Sequence, residues 1–244
     1  MKIKIINPNT TWSMTKNIEF AGKLYARPDT TVYAVSPPTG PASIESMYDE
    51  YMAVPGVLSE IIKGEREEEA DAFIIACFGD PGLEAAREVT DKPVIGIAQA
   101  AFAVATAIAP NFSIVYVLDH SEGIIKNVVQ LHGVEKFCRS CRSAGMGVLD
   151  FERDPLAGLQ ALELQSRKCM EEDKAECIVL GCAGFVQFVS KLNKEFPIPV
   201  IDGVSPAVKL CEALVDMGCK LSKKAAWAYP EPKPILGFQE IKKF

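Results

Sequence analysis

Short apolar, mostly β-branched runs alternate along this chain with stretches of helical periodicity, and few folds accept that order. Strands are predicted at Ile3–Ile6, Thr31–Val35, Ala72–Ala76, Val94–Ile97, Phe112–Val117, Gly147–Leu149, Ile178–Gly181 and Val200–Ile201. Between them, the spacing of apolar positions predicts helices over Trp12–Tyr25, Ile44–Lys63, Pro81–Val89, Gln99–Ala107, Glu122–Leu131, Pro155–Glu172, Phe185–Glu195 and Pro206–Met217. Strands joined through helices lie parallel and are covered on both faces, which makes the class α/β.

The alternation also repeats itself. Ala72-Phe73-Ile74-Ile75-Ala76-Cys77 is an apolar run ending in cysteine, and Cys177-Ile178-Val179-Leu180-Gly181-Cys182 is a second. Each leads through small residues into a helical pattern and then into a proline-led run, Pro93-Val94-Ile95-Gly96 or Pro199-Val200-Ile201-Asp202. A first strand precedes each unit at a similar distance, Ile3–Ile6 in one half and Phe112–Val117 in the other. The expected architecture is therefore two pseudo-symmetric, doubly wound lobes with parallel sheets and an active site in the cleft between them. Lobe 1 is expected to span residues 1–98, completed by 205–244, with 99–204 as lobe 2. Ligands of such sheets bind beyond the carboxyl ends of the strands, where Cys77 and Cys182 both stand.

Two thiols facing one carbon from opposite sides suit proton transfer. One, as thiolate, removes the proton alpha to a carbonyl; the other, as thiol, protonates the opposite face of the planar enolate. Exchanging the roles runs the reaction backwards, as a racemase requires. Helix N-terminal amides after each cysteine are expected to lower the thiol pKa and to cradle an oxyanion. A sufficiently acidic substrate carbon needs no metal or other cofactor in this scheme.

Composition removes several other classes. The formal net charge of −6 offers no basic footprint for nucleic acid or an anionic membrane. The most apolar stretch, Val94 to Ala109, is shorter than the roughly 20 residues of a membrane span. The first strand reaches the turn at Asn7-Pro8 too soon for a signal-peptide apolar region, so a cytoplasmic location is expected, with the thiols reduced. Cys138-Arg139-Ser140-Cys141 has the spacing of half a zinc site or a redox pair, but no second pair and only two histidines accompany it. Surface or packing thiols are the expected reading there. His120 and His132 without a nucleophile elbow argue against a serine hydrolase, and no glycine-rich phosphate loop is present.

The residues in hand resemble the aspartate/glutamate racemase superfamily, in its hydantoin racemase branch, which includes allantoin racemases. The likeness is carried by Ile6-Asn7-Pro8-Asn9-Thr10, Met14-Thr15, Gly40-Pro41-Ala42-Ser43-Ile44-Glu45 and Ala76-Cys77-Phe78-Gly79-Asp80-Pro81-Gly82-Leu83. It continues through Val94-Ile95-Gly96-Ile97, Phe112-Ser113-Ile114-Val115, Val179-Leu180-Gly181-Cys182-Ala183-Gly184 and Pro199-Val200-Ile201-Asp202-Gly203-Val204. It implies a cofactor-independent racemase, often a homo-oligomer, with Cys77 and Cys182 as acid and base. It further implies substrate contacts at Asn9, Ser43, Ile44, Phe78, Gly79, Ala183 and Gly184. Where the branch carries two threonines able to bond the hydantoin ring, this chain has Tyr116 and Val117, which leaves the substrate's identity open.

Other readings stay open at this stage: a free aspartate or glutamate racemase, a decarboxylase, a cis–trans isomerase, or a two-lobe binding or thiol-sensing protein without turnover. Asn9 and Ser43 can equally be turn and cap residues. Asp80, Asp202 and Ser121 read as caps or loop braces, and Glu65–Glu69 as a solvated helical face. The tail Trp227–Phe244 is expected to wrap the first lobe or an oligomer contact.

Overall fold

A computed structural model describes residues 1–237 and consists of two four-stranded parallel sheets with covering helices. In the first, β1 (Lys2–Ile6), β2 (Thr31–Val35), β3 (Ala72–Ile75) and β4 (Val94–Gly96) take the order β2-β1-β3-β4. In the second, β5 (Phe112–Tyr116), β6 (Cys138–Ser143), β7 (Ile178–Leu180) and β8 (Val200–Ile201) repeat it as β6-β5-β7-β8. The duplication extends to single bonds. Ala76 N donates to Ile6 O at 2.8 Å, and Gly181 N donates to Val115 O at 2.8 Å. Each bond fixes the residue immediately before a cysteine, so Cys77 and Cys182 leave equivalent strand ends.

The helices are α1 (Trp12–Tyr25), α2 (Met47–Arg66), α3 (Leu83–Val89), α4 (Ile97–Ile108), α5 (Glu122–Leu131), α6 (Asp150–Arg153), α7 (Pro155–Glu171), α8 (Val189–Glu195) and α9 (Val204–Asp216). Alternation along β1 explains how the first sheet is covered. Ile3 and Ile5 pack in one core with Ile18 of α1 and Val208 of α9, while Ile6 joins Val57 and Ile61 of α2 in another. Lys4 also points to the α2 side and is fully buried, its Nζ bonded to Glu60 at 2.8 Å and Glu68 at 2.7 Å. Glu68 is thus a partner of a buried charge and not, as its acidic run predicts, a member of a wholly solvated face.

Three sequence expectations are corrected. Gly147–Leu149 is a turn, and the strand pairing with β5 is instead Cys138–Ser143, a polar edge strand without apolar alternation. The second helix begins at Met47 and not at Ile44, because Ser46 and Asp49 form a reciprocal capping box. Asp80 does not cap the helix that follows it. That helix starts at Leu83 behind Gly82 at φ 72°, and the Asp80 carboxylate accepts from Ala98 N and Gln99 N, both at 3.0 Å. It therefore caps α4 from outside the helix and accepts from His132 Nε2 at 2.9 Å as well. Gly96 must be glycine for this reason, since a Cβ there would lie 2.2 Å from Asp80 Cγ.

Asp202 caps α9 through Ser205 N at 2.8 Å and Ser205 Oγ at 2.6 Å, as a brace should. After α9 the chain runs back over α3. Lys223 Nζ donates to the carbonyls of Arg87, Glu88 and Thr90 at the end of that helix, and Trp227 Nε1 donates to Glu84 at 2.8 Å. The last part of the expected tail, residues 238–244, lies outside the described residues.

Candidate active site

The carboxyl ends of both sheets open onto one small cavity of about 40 Å³. It has room for about three waters, the scale of a compact ring and not of a nucleotide. The first sheet contributes Asn7, Asn9, Ala76, Cys77, Phe78 and Gly79 to its wall, and the second Val117, Gly181, Cys182 and Ala183. Met14, Ile44, Ser121, Ile124, Ile125 and Val148 close it with mostly apolar surface. Both cysteines therefore border the same space. Among the lining residues none carries a cationic side chain.

The polar floor is built by the turn after β1. Asn7 Nδ2 donates to Asn9 Oδ1 and to Thr15 Oγ1, both at 2.9 Å, and Asn9 Oδ1 also accepts from Thr11 N at 2.9 Å. Asn9 is thus both a turn brace and a lining residue. Asn7 is fully buried, and its Oδ1 has no partner among the described residues. A buried carbonyl of that kind is costly unless something donates to it, and a ligand N–H is the natural candidate.

Burial dominates the electrostatics of the thiols. It pushes Cys182 up to about 12, against the backbone amides of Gly184 and Phe185, which donate toward its sulfur; the charge of Glu45 adds to the rise. Cys77 is pushed higher still by burial, opposed by a single amide from Gly79; Glu50, Cys182 and Asp80 raise it further. The amides are where the sequence placed them, but they do not win, so both thiols rest above the ordinary thiol range. Near neutral pH each is therefore held as the thiol, the form that acts as the acid in proton transfer.

Two carboxylates outside the predicted site residues act on the thiols, Glu45 on Cys182 and Glu50 on Cys77. Glu45 Oε1 accepts from Val148 N at 2.7 Å, and Ser121 Oγ donates to the Glu45 carbonyl at 2.8 Å. Ser121 therefore ties the loop before α2 to the second sheet's loops instead of capping α5. Glu50 packs on Gly79, where a Cβ would lie 2.6 Å from its Oε1, and burial then Asp80 push it up to about 7. A carboxyl raised in the folded state stabilises most below its unfolded pKa, and that contribution is lost as pH rises through about 7. Glu50→Gln is accordingly expected to flatten the fall of melting temperature between pH 5 and 8, read by scanning calorimetry. It is also expected to speed alkylation of Cys77 above pH 8, because the Glu50 charge is one of the groups that raise that thiol. An unchanged pH profile together with an unchanged alkylation rate would remove Glu50 from the electrostatics of Cys77.

Of the residues singled out from sequence, Asn9, Ile44, Cys77, Phe78, Gly79, Val117, Cys182 and Ala183 line the cavity. Gly184 lies just behind it; a Cβ there would sit 3.7 Å from Cys182 Sγ. Ser43 is half-buried outside the lining. Tyr116 is also outside it, since side chains alternate along a strand. While Val117 faces the cavity, Tyr116 is buried with Phe78, Ile114 and Ile125, its phenol pushed up to about 12 by burial and by Glu122 and Asp119.

The family model for Asp/Glu/Hydantoin racemase matches residues 3–211 of this chain. A hydantoin racemase of Pseudomonas sp. (strain NS671) is 54% identical over 240 residues, covering 98% of this chain and 96% of the relative. The hydantoin racemase of Rhizobium meliloti is 46% identical, covering 97% of this chain and 98% of its own. Among solved structures, the allantoin racemase from Klebsiella pneumoniae superposes with a TM-score of 0.97 at 41% identity, over 100% of both chains.

Proposed function

Because this chain belongs to the Asp/Glu/Hydantoin racemase family, we propose that its cleft racemises 5-substituted hydantoins by two-base proton transfer between Cys77 and Cys182. The enzyme is a racemase of hydantoin-type compounds. One thiolate takes the C5 proton, the ring carbonyl carries the enolate charge, and the opposite thiol returns a proton to the other face. The amides after each cysteine are the donors for that charge. No cofactor enters this scheme.

The observation that carries the reading is a cavity with two thiols and no cation in its lining. A hydantoin is neutral, whereas the carboxylate of a free amino acid would be buried there without a counter-ion. A ring N–H can donate to Asn7 Oδ1. The surrounding Met14, Ile44, Ile124, Ile125 and Val148 favour an apolar 5-substituent over a polar ureido group.

The test uses single enantiomers of 5-isobutylhydantoin, allantoin and aspartate in deuterium oxide, followed by circular dichroism and mass spectrometry. The alkyl hydantoin is expected to lose its signal fastest and to take up one deuterium at C5. Loss of signal without deuterium would overturn the proton-transfer scheme, and faster turnover of aspartate would overturn the substrate class. Faster turnover of allantoin, a 5-ureidohydantoin, would overturn the preference for an apolar 5-substituent.

Two further parts belong to the same reading. Residues 1–98 and 205–237 are taken as one lobe and 99–204 as the other, supported by the packing of α9 on β3, β4 and α1. A homo-oligomer is supported by the exposed apolar side chains Phe20 and Leu24 on α1 and Tyr48 and Tyr51 on α2, and a cytoplasmic location is part of the same proposal. No helix among the described residues is long and apolar enough to cross a membrane.

A further inference from the structure

Outside the cleft, the second sheet holds another pair of thiols. Residues three apart on a regular strand point to opposite faces, so a Cys-x-x-Cys on a strand would hold its sulfurs apart. Strand β6 departs from this. Phe112 pairs with Cys138, but Ile114, two residues on, pairs with Cys141, three residues on, through a register shift. The extra residue is a β-bulge, and it brings Cys138 and Cys141 to the same face. Their sulfurs lie 3.7 Å apart. Ser140 faces the other way, bonded to Ser113 Oγ at 2.8 Å, with Cys169 on that side at 3.9 Å.

Three observations make this pair reactive in a way the others are not. β6 is the outermost strand of its sheet, and both cysteines are half-buried. Cys77 shares that access and Cys219 exceeds it, but neither has a second sulfur beside it on a strand edge. The Cys138 thiol holds Cys141 below its usual range; Lys126 of α5 helps, while burial and Glu122 oppose. Burial pushes Cys77, Cys169, Cys177, Cys182 and Cys211 the other way. Reactivity toward peroxide follows thiolate character and access.

We infer that Cys138 and Cys141 form a dithiol site, separate from the racemase cleft, that hydrogen peroxide or an organic hydroperoxide oxidises reversibly to an intrastrand disulfide. The Cys141 thiolate sulfur attacks one peroxide oxygen; the O–O bond breaks, and the departing hydroxide takes a proton and leaves as water. Sulfur is oxidised to a sulfenic acid and the peroxide is reduced. The Cys138 sulfur then attacks the Cys141 sulfur, the S–O bond breaks, and a second water leaves with the Cys138 proton. In sum, two thiols and hydrogen peroxide give one disulfide and two waters; with an organic hydroperoxide the first departing group is the alkoxide, which leaves as its alcohol, and one water forms. A dithiol reductant reverses the step.

Tryptic digestion gives a direct readout, because cleavage after Lys136, Arg139 and Arg142 separates the two cysteines into Phe137–Arg139 and Ser140–Arg142. The full chain is treated with a few equivalents of hydrogen peroxide, blocked with N-ethylmaleimide, unfolded, alkylated with a second label and digested. The expected product is the two fragments joined by a disulfide, two hydrogens lighter than their sum and separated by dithiothreitol. Cys77 and Cys182 are expected to be recovered as free thiols, carrying one or the other label, at the same dose. In Cys138→Ser, the Cys141 sulfenic acid should persist and be trapped by dimedone, a signal nearly absent from the parent protein. Recovery of Cys138 and Cys141 as free thiols while other cysteines are oxidised would overturn the inference. So would Cys141 joined to any partner other than Cys138.

Discussion

Cys77→Ser and Cys182→Ser are each expected to lower racemisation of a hydantoin enantiomer by at least about 10³-fold, the scale of a lost acid or base in proton transfer. Serine keeps the size and the hydrogen bonds but holds its proton too tightly to act as base at working pH. The more telling expectation concerns what survives. In each variant one thiol remains on one face, so one enantiomer should still exchange its C5 proton with deuterium oxide while keeping its configuration. The two variants should select opposite enantiomers. The measurement is proton NMR of each pure enantiomer with each variant, beside circular dichroism for inversion. Racemisation within tenfold of the parent in either variant would remove that cysteine from the mechanism. Exchange of the same enantiomer by both would place the thiols on one face and break the two-base geometry.

The site was legible to the extent that it repeats. Cys77 and Cys182 stand at matching places because the two sheets share an order and a hydrogen-bond pattern, and a duplicated sequence reports both. Helices with clean periodicity, such as Trp12–Tyr25 and Glu122–Leu131, have the bounds their spacing predicts. What stayed hidden depends on long-range pairing. β6 reads Cys-Arg-Ser-Cys-Arg-Ser, with nothing apolar to mark a strand; only its pairing with β5 makes it one. Tyr116 differs from Val117 by one residue, and that residue decides which face of the sheet it takes. Glu45 and Glu50 meet Val148 and Gly79, groups distant in sequence, so no local pattern shows what they do; Asn7 stands in a matching motif, but its unpartnered Oδ1 is visible only in the fold. The thiol pKa reversed for the same reason. The amides after each cysteine are a local feature, whereas the burial that overrides them is made by Ile44, Ile124 and Val148 from elsewhere in the chain.

Asp80→Ala is expected to cause the largest loss of stability, about 3–5 kcal/mol, the range for removing one partner of a buried charged network. The side chain is 3% exposed and serves three donors: Ala98 N, Gln99 N and His132 Nε2. Alanine would leave two amides at the start of α4 and the imidazole without their acceptor, each at a cost of about 1–3 kcal/mol. It would also add strain to the loop. Asp80 has φ 49°, in the left-handed region that alanine adopts less readily than aspartate. For a chain of this length the loss should lower the melting temperature by roughly 6–20 °C, since each kcal/mol is worth about 2–4 °C. Asp80→Asn separates charge from shape, because its single carbonyl can accept from only part of the donor set while its amide offers none of them an acceptor. It should fall between the parent and the alanine variant in calorimetry. The effect on catalysis should follow the loop, since Asp80 sits three residues after Cys77 and fixes the turn that aims Gly79 N at the thiol. A melting temperature for Asp80→Ala within about 2 °C of the parent, less than 1 kcal/mol, would mean that water replaces the carboxylate at no cost and that the brace is not what holds Cys77 in place.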